Sequence, residues 1–329
     1  MKLAVIILNW NGRSLLEQFI PAAERFTRGE GVRLIVADNG STDDSVEWMK
    51  ANYPQVGLIE FKENYGFAEG YNLAIAETDS EFTVLLNSDV EVTENWFEPL
   101  LRFMEEHPEA GACQPKIKSY HDKTKFEYAG AAGGLLDRLG YPYCRGRVFD
   151  KLETDRGQYD DAPAEIAWAS GACLMVRRET YLELGGLDSS FFAHMEEIDL
   201  CLRMIGSGHG VWYVPGAEVY HVGGASLPKD NPKKTYLNFR NNLLMLHKNM
   251  PRREGKRLLF IRRLADTLAF FMFLATLDLP NAKAVLKAHG DYKKMRGAYT
   301  KLPEVNYLKN VPGRKRMILL DKLGFSVRK

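Results

Sequence analysis

The stretch Leu3-Ala4-Val5-Ile6-Ile7-Leu8 runs without interruption into Asn9-Trp10-Asn11-Gly12, an apolar segment that ends in a polar, turn-forming one. An apolar run with no alternation reads as a strand buried on both faces, the kind that parallel sheets covered by helices contain. It is short and no small-residue cleavage site follows it, so it reads as a strand rather than a signal peptide, and the chain is expected to stay where it is made. The pattern then repeats. Strands are expected at residues 3–8, 32–37, 57–61 and 82–86, and helices at 14–26, 43–52, 66–77 and 93–106, the last ended by Pro108. This alternation predicts an α/β fold with a mostly parallel central sheet flanked by helices and with ligands at the carboxyl ends of the strands.

The loops after those strands are therefore the places to search for chemistry. Asp38-Asn39-Gly40-Ser41-Thr42-Asp43 follows the second strand, where a carboxylate can accept hydrogen bonds from a nucleotide base or ribose, or the segment from Ser41 can simply cap the next helix. Leu86-Asn87-Ser88-Asp89 ends the fourth strand and presents one carboxylate, enough for a hard cation whose other positions are filled by phosphate and water. Asn87 reads more naturally as an Asx turn than as a ligand. His221, beside Gly223-Gly224, closes a later strand. Glu196, Glu197 and Asp199 lie within four positions among apolar residues, so at least one carboxylate of that helix sits where burial can tune its proton affinity. Neither Gly-x-Gly-x-x-Gly after the first strand nor a P-loop pattern occurs, which argues against a dinucleotide oxidoreductase or a P-loop enzyme.

Composition excludes other classes. With 329 residues, 45% hydrophobic and 26% charged, the chain is a globular protein of one large or two modest domains. The cysteines at 113, 144, 173 and 201 have no metal or redox spacing and are expected to be reduced, in a cytosolic protein. A net charge of +1 hides a division, −16 over residues 1–228 against +17 over 229–329. Within the basic tail the apolar run 267–277, bounded by Asp266 and Asp278, falls short of the ~20 residues that span a bilayer. Beside Arg252, Arg253, Lys256, Arg257, Arg262 and Arg263, it either lies on an anionic cytoplasmic leaflet or packs on the core or on another subunit as a homo-oligomer contact. The absence of basic residues interleaved with exposed aromatics argues against nucleic acid.

Seven segments, in order, resemble the family 2 glycosyltransferases and especially their bacterial rhamnosyltransferase-like branch. They are residues 5–12, 38–43, Asn64-Tyr65-Gly66-Phe67-Ala68-Glu69-Gly70-Tyr71-Asn72, 86–89, 170–178, Gly185-Gly186-Leu187-Asp188 through Phe192, and 196–203. The resemblance fades after about residue 242. It implies a GT-A-type fold, with residues 1–228 catalytic (1–115 for the nucleotide, 116–228 for the acceptor) and 229–329 a basic helical region. It implies inverting transfer from a nucleoside-diphosphate sugar, dTDP-rhamnose or a UDP-sugar, to a glycan or lipid-linked saccharide, with Mg²⁺ or Mn²⁺. On it, Asp38 would bind the base, and Asn9, Asn11, Asn64, Gly66, Asn72, Asn87 and Ser88 would line the nucleotide-sugar pocket. Asp89 and His221 would hold the metal, with Asn87 standing where the family has its first metal-binding acid. Glu197 would be the general base in place of the family's Asp, and Glu196 its partner. Trp168, as a stacking surface, and Asp199, a third acid that orders Arg203 or the helix, would belong to the acceptor side. The rival readings are a sugar nucleotidyltransferase, which would need a basic triphosphate loop near the first strand, and a catalytically inactive carbohydrate-binding protein.

Overall fold

A computed structural model describes residues 1–149, 151–223, 231–309 and 311–318. Gly224, which belongs to the predicted glycine turn, and the last residues of the basic tail lie outside the described residues. β1 (Leu3–Asn9), β2 (Val32–Asp38), β3 (Gly57–Glu60) and β4 (Phe82–Asn87) alternate with α1 (Arg13–Phe26), α2 (Ser45–Asn52) and α3 (Gly66–Ala76), as the periodicity predicts. β1 is buried along its length because both sheet faces are covered. Leu3, Val5 and Ile7 pack with Leu16, Ile20 and Leu100 on one face, and Ala4 and Ile6 pack with Tyr71, Leu200 and Leu243 on the other. Each such aliphatic side chain contributes roughly 1.5–3 kcal/mol of burial.

After β4 comes a short strand, and the first five residues of the expected helix 93–106 form a loop. β5 (Val90–Val92) comes first, and α4 (Glu98–Glu106) begins five residues later than expected. Asn95 adopts a left-handed conformation, φ 57°, and Pro99 occupies the first turn of α4, so the helix cannot extend upstream. Trp96 and Phe97 instead plug the core.

β6 (Ala110–Ser119) is followed by a small antiparallel sheet of β7 (Gly134–Leu136), β8 (Pro142–Cys144), β9 (Arg147–Val148) and β10 (Lys151–Leu152). Then come β11 (Ala164–Glu165), β12 (Cys173–Arg177), α5 (Arg178–Glu183), α6 (Glu196–Gly206) and β13 (Gly210–His221). Among the described residues the central sheet runs β11-β13-β6-β12-β4-β1-β2-β3, with β5 paired to β13. It is parallel through β4, β1, β2 and β3, and mixed from β12 onward, where β12 enters antiparallel between β4 and β6.

Register then assembles the site. Asn9 pairs with Asp38 and Leu8 with Asn87, which lines up the three strand-end loops, and His221 pairs with Val90, which brings the imidazole beside Asp89.

The basic tail forms α7 (Pro232–Lys248), α8 (Arg252–Ala275) and α9 (Leu279–Met295). It is fastened to the rest of the chain. Arg262 donates to the Leu139 carbonyl and to Asn242 Oδ1, the Tyr141 hydroxyl donates to Asp266 at 3.1 Å, and Asn242 donates to the Gly140 carbonyl. Among the described residues no helix is long and apolar enough to cross a membrane.

Candidate active site

A cleft of about 640 Å³ opens at the carboxyl end of β4. Its lining includes Asn87, Asp89, Trp168, Glu196, Glu197 and His221, drawn together from positions far apart in sequence.

Glu196 and Glu197 stand in the first turn of α6, whose preceding backbone is bent by three non-glycine residues in the left-handed region, Phe192, His194 and Met195. Such a run persists only where its surroundings hold it. Asn241 of α7 supplies the hold, its side-chain amide donating to the carbonyls of Phe191, Ala193 and His194, while Arg240 donates to the carbonyls of Ser190 and Phe191. Burial raises the Glu196 carboxyl well above the usual range, and the charge of Glu197 adds to the effect. Burial also pushes Glu197 up to about 7, against the backbone N–H groups at the helix start that favour its anion. One oxygen of each carboxylate, Oε2, is buried with no protein partner, so both carboxylates keep accepting capacity for a ligand. His194, beside them in the cleft, is pushed down to about 4 by burial and by the Lys234 charge and stays neutral.

Asp89 Oδ1 lies 3.1 Å from His221 Nε2, and His221 Nδ1 lies 3.5 Å from Glu127 Oε2. The hydrogen bonds and charges of these two carboxylates overcome burial and carry His221 up to about 10, while His221 holds Asp89 below its ordinary value despite burial. A carboxylate behind an imidazole is the arrangement that orients metal-ligating histidines. Among the described residues no three His, Cys, Asp or Glu side chains form a metal cage by themselves. Asp89 and, once its imidazole has lost a proton, His221 offer one oxygen and one nitrogen side by side, so a hard divalent cation here would need its other positions filled from outside the protein.

Of the remaining predicted residues, Asn9, Asn11 and Asp38 gather at the ends of β1 and β2 and Asn64 and Gly66 at the start of α3, outside the lining of that cleft. Asp38 accepts from Ser41 N at 2.8 Å, Ser41 Oγ at 2.7 Å and Asn9 Nδ2 at 2.9 Å. Asn9 is wholly buried and donates to Asp38. Asn11 ties the first loop to the second through Thr42 N, and Asn64 accepts from Asn39 and from Gly66 N, where Gly66 is left-handed at φ 79°. Ser88 is half-buried between Asn87 and Asp89.

Two expectations are corrected. Asn72 does not face the sugar pocket, because its amide bonds the Leu187 backbone on both sides and accepts from the Tyr181 hydroxyl. Asp199 does not touch the acceptor side. It is fully buried, with Oδ2 shared by Arg203 and Lys248 at 2.9 Å each and Oδ1 taken by Asn249. Its pairing with Arg203, at i and i+4, agrees with the ordering role read from the sequence. Trp168 lines the cleft, with its indole N–H donated to the Leu135 carbonyl. Gly134 lies against its ring, where a Cβ would come within 2.1 Å of the ring atoms. Sequence reasoning missed Glu127, Arg147 and the Arg240-Asn241 brace, and the signal for the brace was the polar run Arg240-Asn241-Asn242 in mid-helix between Phe239 and Leu243.

The profile described as "Glycosyl transferase family 2" matches residues 4–184. An N-acetylglucosaminyl-diphospho-decaprenol L-rhamnosyltransferase of Mycobacterium tuberculosis is 28% identical over 243 residues, covering 69% of this chain and 78% of that protein. Among solved structures, a Pyrobaculum calidifontis mannosyltransferase in complex with GDP-Man and Mn²⁺ superposes with a TM-score of 0.54 at 13% identity, covering 89% of this chain and 87% of that one. GalNAc-T7 with UDP, GalNAc and Mn²⁺ reaches 0.58 at 15% identity, covering 75% of this chain and 48% of that one. These likenesses establish the GT-A fold, and with a family profile spanning more than half of its length the chain belongs to glycosyl transferase family 2 and is a glycosyltransferase.

Proposed function

We propose that the protein transfers a sugar from a nucleoside-diphosphate sugar, with inversion, to a hydroxyl of a lipid-linked saccharide at the cytoplasmic face of a membrane, in the synthesis of a cell-surface glycan. The observation that carries this reading is the Glu197 carboxylate, lining the cleft with one unpartnered oxygen and a proton affinity raised to about 7. A sugar hydroxyl is a poor nucleophile, and a base matched to neutral pH removes its proton as it attacks the anomeric carbon. Glu196 beside it is raised by burial and by the charge of Glu197, so the two carboxyls oppose each other's ionisation. A single displacement with one base inverts the anomeric configuration.

Asp89 and His221 would hold a divalent cation, Mg²⁺ or Mn²⁺, which when bound neutralises charge on the departing diphosphate. Asp38, oriented by Asn9 and Ser41, would receive the base of the nucleotide. Asn87 lines the same cleft and offers a neutral oxygen rather than a second carboxylate.

The lipid-linked acceptor is favoured by α8. Its inner face, Leu258, Arg262 and Asp266, is buried against the catalytic region. Its outer face carries Phe260, Ile261, Leu264, Leu268, Phe271 and Met272, each about half exposed or more. That stripe sits at helical spacing beside Arg252, Arg253, Lys256, Arg257 and Arg263, the makeup of a helix that lies in an anionic membrane interface. The Mycobacterium relative bears the name of a decaprenol-linked acceptor, which is consistent with such a surface.

The test is transfer from UDP- and dTDP-sugars to a prenyl-diphosphate-linked saccharide with Mg²⁺ or Mn²⁺, with the anomeric configuration of the product read by NMR. Inversion is expected. Retention, or failure of a thermal-shift panel to find any nucleoside diphosphate ligand, would overturn the reading.

A further inference from the structure

Arg147 of β9 is buried, at 7% exposure, and it lines the active-site cleft. Other buried cations of the protein have their charge or donors taken up. Lys116 pairs with Asp155 and Asp160, Arg262 with Asp266 and the oxygen of Asn242, and Arg240 gives its donors to two backbone carbonyls and two side chains. Arg147 is different. Among the described residues no carboxylate lies within ion-pair distance, and Glu127, which attracts it from farther away, is engaged with His221. Among the described residues its two terminal nitrogens make only long contacts, to the Phe149 carbonyl at 3.4 Å and to Cys144 Sγ at 3.6 Å, and its Nε has no partner. The Tyr128 ring covers one face of the guanidinium, with its centroid 4.2 Å away.

A guanidinium withdrawn from water without a counterion is costly to keep. Its planar fork of donors matches phosphate oxygens two at a time. We propose that Arg147 binds a phosphate group of the acceptor, so that the acceptor is a diphosphate-linked rather than a free saccharide. This inference rests on the lipid-linked reading above. The acceptor is favoured over the donor as the source because β9 belongs to the small sheet, which meets α8 where Tyr141, just before β8, bonds Asp266 and stacks on Arg262. A phosphate held there hands its lipid toward the helix with the exposed apolar stripe, while the donor's diphosphate has Asp89 and His221.

The experiment uses the full chain with the donor site filled by UDP or dTDP, whichever binds, plus Mg²⁺, and titrates farnesyl diphosphate by calorimetry. Wild type is expected to bind it, Arg147→Met to bind at least 10-fold more weakly and Arg147→Lys to fall between, while nucleotide affinity stays within 2-fold. In transfer assays Arg147→Met should raise KM for a prenyl-diphosphate-linked acceptor about 10-fold or more and leave KM for a phosphate-free alkyl glycoside unchanged. Equal losses on both acceptors would make the residue structural and overturn the proposal. Loss of nucleotide affinity instead would assign the phosphate to the donor and overturn it too. Should Arg147→Met not fold, Arg147→Lys carries the same comparison. If no acceptor is glycosylated yet farnesyl diphosphate binding depends on Arg147, the functional reading fails and the phosphate site stands.

Discussion

The side-chain amide of Asn241 donates to the carbonyl of His194 at 2.7 Å, so a helix of the basic tail holds the backbone from which the candidate base projects. Asn241 is fully buried and spends both amide protons on three carbonyls of the bent run before α6. Asn241→Ala takes that donor from the Ala193 and His194 carbonyls and leaves Phe191 only Arg240 and its own turn, and on the order of 2–4 kcal/mol of stability should go with them. Thermal denaturation should show the loss, and turnover should fall further than the unfolded fraction explains. An Asn241→Ala protein with normal melting and normal kcat would show that the brace is idle.

Nucleoside diphosphate binding should depend on a divalent cation, and Asp89→Ala should abolish that dependence. Chelation of wild type by EDTA should weaken nucleotide affinity to the level of the variant without metal. Asp89→Ala also removes one of the two carboxylates beside His221, so melting temperature should be measured alongside the calorimetric titration. A folded Asp89→Ala protein that binds the diphosphate with metal as tightly as wild type would place the cation elsewhere.

How far the sequence shows this site depends on whether a feature is local. The strand-and-turn units of β1, β2 and β4 are local, and the loops after them fall in register as the alternation predicts. The i, i+4 pairing of Asp199 with Arg203 is local too. Lys248 and Asn249, which take up the rest of that carboxylate, arrive from another helix, so burial of Asp199 was not legible. The same holds for Asp89 and His221, 132 residues apart, which meet because β13 pairs with β5, whose three residues are too few to read as a strand from the sequence. The tail posed a choice between packing and membrane contact. α8 packs on the core through its inner face and leaves an outer apolar stripe free for a second surface.

Membrane association should be carried by that outer stripe. Leu264 and Phe271 are each 58% exposed, so Leu264→Glu with Phe271→Glu should leave the core packed. Sedimentation with vesicles containing anionic lipid should fall sharply for the double variant and should weaken for wild type as salt rises, since the basic flank is screened. Transfer to a phosphate-free soluble acceptor should be unchanged. Undiminished sedimentation of the double variant would assign the stripe to another protein surface.

Glu197→Gln should lower kcat by about 10² to 10⁴-fold while sparing donor affinity, because Gln keeps the shape and loses the proton acceptor. The wild-type kcat/KM should climb with pH to a plateau above about 7, where the Glu197 carboxyl has ionised, and that limb should be missing in Glu197→Gln. The stability effect has a definite sign. The folded carboxyl holds its proton more tightly than the unfolded one, so as pH rises from about 4.5 the unfolded chain ionises first and the native state loses ground until about pH 7. Wild type should therefore be less stable than Glu197→Gln at pH 8, by on the order of 1–3 kcal/mol, and equal to it near pH 4. Glu196→Gln should stabilise in the same direction with a smaller loss of turnover. A Glu197→Gln enzyme that turns over normally, beside a folded but inactive Glu196→Gln enzyme, would move the base one residue upstream.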